Sequence, residues 1–199
     1  IILITKSSIK LKGINIKLLT LFAISIPITS FFMIYAISST KAATVVFMLY
    51  AGSLLSSFLI GTLIYKESVN KIKIISLISV IIGLIIFTTP FDYTSIMGIT
   101  PAFIGGIIEG FSNAIRKKLG DIKRETTLFY QYLTTILLSL PLIIITQEKI
   151  IREISLEGII ITIIFGTLLV FIGYLMLYGF KFFDANIGTT ILSSEMFFS

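Results

Sequence analysis

Of the 199 residues, 56% are hydrophobic and only 13% are charged; the net charge is +6 and the mean hydropathy is +1.05. Soluble domains average about 25% charged residues. There is no cysteine and no histidine, which excludes disulfides, a thiol nucleophile and the commonest general base and metal ligand, and weighs against hydrolases and redox enzymes.

The chain opens on "IILIT", too short to span a bilayer, and ends in apolar sequence at "ILSSEMFFS". It reads as an internal fragment lacking both terminal parts. A spanning helix needs about 20 mostly apolar residues. Six segments meet that need: approximately Leu18–Ser38, Ala42–Tyr65, Ile72–Thr89, Ser95–Ile115, Leu128–Thr146 and Gly158–Phe180. A seventh starts near Ala185 and runs to Ser199. Ile and Val abound, yet in lipid a backbone run of this length satisfies itself as a helix, and the alternation of a barrel strand is absent. The expected fold is all-α integral membrane, a multispanning helical bundle with about seven spans. Pro27 and Pro141 fall inside spans, where proline kinks a helix.

Lysine and arginine give an orientation. One set of alternate loops carries 13 of the 16 basic residues (Lys6, Lys10, Lys12, Lys17; Lys66, Lys71, Lys73; Arg116, Lys117, Lys118, Lys123, Arg124; Lys181). The opposite set holds Lys41, Lys149 and Arg152. The positive-inside rule then makes segments 6–17, 66–73, 116–124 and 181 cytoplasmic, in a multi-pass protein of the cell membrane. Basic residues confined to short loops also argue against a nucleic-acid partner. The loops are too short to fold as soluble domains, so any chemistry lies within the helices.

Candidate residues follow in chain order. Gly52 with Ser56, and Gly106 with Gly110, are small-xxx-small pairs that let helices pack closely. Glu67, beside Lys66 at a helix end, reads as interfacial and structural. Glu109, in "GGIIEGFSNAIRKK", is a carboxylate inside an apolar run; an intramembrane charge costs about 2.5–3.5 kcal/mol on insertion scales. Gly105, Gly106, Ser112 and Asn113 stand at helical spacing from it and would make one small and polar face. Glu109 is therefore a candidate substrate or proton ligand, with Asn113 beside it; snorkelling, or pairing with Arg116, is the structural alternative. Gln131 and Thr135 share a face at i, i+4, suited to a solute or to bridging helices. Glu195 sits about ten residues into the last segment, a second candidate. No metal-ligand cluster, phosphate loop or nucleophile–base pair is visible, and no cofactor is expected.

An offset of 143 superimposes "YAISSTKAATVVFMLYAGS" (35–53) on "YGFKFFDANIGTTILSSEM" (178–196). The first copy runs inside to outside and the second the reverse, as in transporters that rock two inverted halves about a midplane site.

Residues 35–87, with Ala36, Ala42 and Ala43, then Glu67, then Gly83, resemble the EamA domain of the drug/metabolite transporter superfamily. "GITPAFIGGIIEGFSNAIRKKL" opens a second such copy, and "LSSEMFFS" is similar to the family's opening of helix nine; Ser53 and Met196 stand where the family has proline. The resemblance implies ten helices in two inverted five-helix repeats. Residues 1–90 would then end the first repeat (the end of helix two, then helices three to five). Residues 95–199 would hold helices six to eight and part of nine. It further implies a secondary transporter or exporter of a small organic solute by alternating access, with proton coupling one option; the partners are the bilayer and the solute, and the protein is not an enzyme. A non-transporting membrane subunit or scaffold is the rival reading.

Overall fold

The computed structural model describes residues 15–87, 93–146 and 155–193. Every regular element in them is helical. Helix α1 (Ile16–Ser39) begins where the Asn15 side chain accepts a hydrogen bond from the Leu18 N–H (3.2 Å), an ordinary N-cap. After Thr40 and Lys41 the chain reverses into α2 (Ala42–Leu63). Lys66 then takes the left-handed conformation (φ 53°), and the Glu67 N–H returns to the Gly61 carbonyl (2.9 Å). This tight reversal turns Glu67 back beneath the helix it follows. Asn70 accepts from the Lys73 N–H (2.9 Å) and starts α3 (Lys71–Phe87).

Helix α4 (Tyr93–Lys118) passes through a 3-10 turn (Leu119–Asp121) into α5 (Arg124–Thr146). Ser155 accepts from the Gly158 N–H (3.0 Å) at the start of α6 (Leu156–Phe182), and α7 (Ala185–Ser193) follows. Three described helices, Ile16–Ser39, Ala42–Leu63 and Leu156–Phe182, are long and apolar enough to cross a membrane. The helix ends differ from the sequence expectation by up to four residues, α5 starting at Arg124 rather than Leu128, and two of the differences have a local cause. Helix α2 ends at Leu63, because the left-handed Lys66 breaks it early. Helix α4 continues past Ile115 to Lys118, because cations in its last turn complement the negative end of the helix dipole.

Helix α4 is the hub, packing most extensively on α2 and α1. The α2–α4 seam is a backbone contact. A Cβ on Gly106 would overlap the Leu49 carbonyl, one on Gly110 would overlap Ser56 Oγ, and one on Gly52 would lie 2.5 Å from the Phe103 carbonyl oxygen. Ser56 Oγ donates across the seam to the Ile107 carbonyl (2.9 Å) and Ser57 Oγ to the Gly110 carbonyl (3.2 Å). Small residues thus give close approach and hydroxyls tie it. Elsewhere the core is apolar: Leu19, Phe22, Ile115, Leu119, Leu128 and Leu177 cluster at one end, and Ala36, Val45, Met48 and Ala102 form a second group. The first ten residues of α6 are exposed on every side, Ile161 and Phe165 at 58% and 60%. A helix apolar all round belongs in hydrocarbon or against further protein.

Candidate functional site

Polar groups gather where α4 meets α1, α2 and α7. Asn113 is 1% exposed. Its Nδ2 donates to Ser53 Oγ (3.5 Å) and Thr189 Oγ1 (3.4 Å), and Thr189 Oγ1 pairs with Ser57 Oγ at 2.9 Å. The Asn113 Oδ1 accepts from the Arg116 guanidinium. One buried chain of hydrogen bonds therefore links α2, α4 and α7 and ends on a cation.

That cation faces a cavity of about 330 Å³ between α1, α2 and α4. Thr29, Ser30 and Met33 come from α1, Leu49 and Tyr50 from α2, and Glu109, Ser112 and Arg116 from α4. The three α4 residues follow one another at three and four positions, the stagger of a single helical face. Pocket and network divide the face that the sequence grouped as one. Glu109 and Ser112 point into the cavity, whereas Asn113, Gly106 and Gly110 turn toward α2 and α7. Gly105 lies against α1, its carbonyl accepting from Thr29 Oγ1 (3.3 Å). Arg116 is flanked by the Phe22 and Phe180 rings, 5.5 and 5.8 Å from their centroids, a placement that partly compensates a desolvated cation.

The other predicted positions lie elsewhere. Gln131 is buried in α5 and does not line this cavity; the Thr135 hydroxyl donates back to the Gln131 carbonyl (2.9 Å). Glu195 and the basic residues of 6–14 fall outside the described residues.

Glu67, expected to be structural at a helix end, has a side chain only 3% exposed. Gly61 makes the room, since a Cβ there would stand 2.6 Å from Glu67 Oε2. Glu67 Oε1 accepts from Lys117 Nζ (2.9 Å) and from the Ala185 N–H that opens α7 (2.9 Å), so the acid lies at a positive helix end. Lys117 also reaches Asp184 (3.0 Å), which Lys73 meets at 3.3 Å. Burial works against the Lys117 charge, but the hydrogen bonds it donates to Glu67 and Asp184 outweigh that and raise its pKa above the ordinary lysine value. The Lys117 hydrogen bond, against a smaller opposing effect of burial and with help from Lys73, holds Asp184 below the ordinary carboxylate range. Sequence reasoning missed this cluster because its members lie in three separate loops, and missed Arg116 as a cavity group because it considered that residue only for loop charge and as a structural partner of Glu109.

Apolar helices around a cavity lined by an acid and a guanidinium define a helical membrane protein. Residues 96–199, just over half of the chain, match the EamA-like transporter family, and the chain belongs to that family, in keeping with the drug/metabolite transporter superfamily. No curated protein and no solved structure matches it.

Proposed function

We propose that the chain is part of a multi-pass secondary transporter that moves a small organic solute by alternating access, with the cavity beside Glu109 as the solute site. The observation that carries this reading is the cavity itself: an acid, a hydroxyl and a guanidinium on one face of the hub helix of a transporter-family chain. Intramembrane ionisable residues cluster on substrate and ion pathways because lipid tolerates them poorly.

Two further observations support an inverted pair of repeats. Helices α1 and α6 end at Ser39 and Phe182, and α2 and α7 begin at Ala42 and Ala185; both pairs are 143 positions apart, the offset of the sequence repeat. The family match also begins at residue 96, beside the start placed for the second repeat at residue 95. Loops 66–73 and 116–124 meet beside Asp184 at one end of the bundle through the Glu67, Lys73 and Lys117 contacts, as a shared cytoplasmic side requires.

The test is E109Q in the full-length protein reconstituted into vesicles. Uptake of a transported solute falls by about tenfold or more, the loss expected of a charged hydrogen-bond partner, while the protein still inserts. Uptake unchanged across a solute panel and across pH would remove Glu109 from the mechanism.

A further inference from the structure

Arg116 is 92% buried, with 8% of its surface exposed. A buried guanidinium normally meets a carboxylate, because removing its charge from water is costly and only a well-placed counter-charge offsets that. Among the described residues no carboxylate lies within ion-pair distance of Arg116; Glu109 on the same face acts on its charge only from further off, and the Arg116 side chain makes one hydrogen bond, to the neutral Asn113 amide oxygen. A guanidinium carries five N–H donors. One turn earlier on the same face, Ser112 is 1% exposed and its hydroxyl has no partner among the described residues. A helical serine commonly donates back to a carbonyl in the preceding turn; Thr62, Thr135 and Ser193 of this chain do so. Both Ser112 and Arg116 line the cavity.

We propose that Arg116 and Ser112 form an anion subsite in this cavity, and that the transported solute carries a carboxylate. The inference rests on reading the cavity as the solute site and names the class of solute. The planar fork of arginine matches the two oxygens of a carboxylate, and the serine hydroxyl supplies a third donor. Asn113, held from behind by Ser53 and Thr189, fixes the guanidinium and leaves its other donors for the ligand; it is a positioning residue. Glu109 stands seven positions from Arg116, a rise of about 10 Å along the helix. It disfavours a second negative charge at that distance and accepts a hydrogen-bond donor or a cationic group. The ligand is therefore a monocarboxylate whose far end is apolar, cationic or donor-bearing, small enough for about 330 Å³.

The full-length protein in detergent is screened by thermal stabilisation with matched pairs: leucine and leucinamide, isovalerate and isovaleramide, phenylacetate and phenylacetamide. Pairs that bind are then followed by uptake into vesicles. The expected result is stabilisation by carboxylates over their amides, a preference lost in R116Q. S112A and R116K, both milder changes, weaken carboxylate binding by about threefold and tenfold, since each removes donors while keeping the fold or the charge. These two variants carry the test where R116Q does not fold. Equal binding of amides and acids, or a preference that survives R116K and S112A, overturns the inference and leaves transport standing. Binding and uptake of only neutral or cationic members does the same. No binding and no uptake of any member overturns both. The screen is repeated with phosphatidylglycerol added to phosphatidylcholine. If that lipid stabilises the protein through Arg116 and displaces the carboxylates, the subsite belongs to a lipid headgroup and the solute assignment falls.

Discussion

Glu109 and Arg116 carry opposite charges seven positions apart on one helix, yet only the acid stood out in the sequence. Glu109 interrupts an apolar run. Arg116 opens a run of three cations and dissolves into it. Helical register separates them: Arg116 lies on the Glu109 and Ser112 face, whereas Lys117 turns to Glu67 and Asp184. The Lys117 cluster has its own pH signature. Asp184 is depressed below its ordinary 3.8, so its contribution to stability is complete above that value and is lost as pH falls through the lower, folded value. Lys117 is raised above 10.5, so its contribution is complete below that and lost as pH climbs through the higher one. Between about pH 5 and 9 these two groups leave stability flat. Thermal unfolding of the full-length protein in detergent should show an acid limb below about pH 4, shallower in D184N. Any pH dependence of transport near neutrality then has another origin.

At the scale of helices, small residues decide which pairs touch. The spacing of Gly106 and Gly110 and of Gly52 and Ser56 was legible as a packing signal. Their shared seam was not, because spacing on one helix does not name the facing helix. The structure sets Gly106 against Leu49 and Gly110 against Ser53 and Ser56. Even one methyl group at Gly106 forces α2 and α4 apart. G106A should therefore cost about 1–3 kcal/mol, the usual range for overpacking, and should enlarge or distort the neighbouring cavity. Melting temperature in detergent reads the first effect and solute affinity the second. Alanine at Gly166, which a Cβ would leave without a contact, serves as the control. The same limit hid the Glu67 cluster: charge counting assigned its loops to one side, but not the atoms that meet there.

For the whole molecule, the asymmetric basic loops imply that Asp121 faces the cytoplasm and Lys41 the opposite side. The chain has no cysteine, so D121C and K41C each place one thiol on it without background. A membrane-impermeant maleimide applied to right-side-out cells should label K41C alone; inside-out vesicles should reverse the pattern. Labelling of both from one side would break the span assignment. Hydropathy made the helices legible, because lipid enforces them along the chain, and charge supplies the orientation that the labelling tests. The cavity depended on three-dimensional register, with walls drawn from segments up to 90 positions apart, from Ile26 to Arg116.

The bond from the Ala185 N–H to Glu67 joins residues 118 positions apart. Glu67 leaves the ribosome long before Ala185 does. A nascent chain complete only through Lys117 can satisfy this acid from one side, and its second donor arrives when α7 is made. The native pairing of this acid is therefore complete only once α7 has been made.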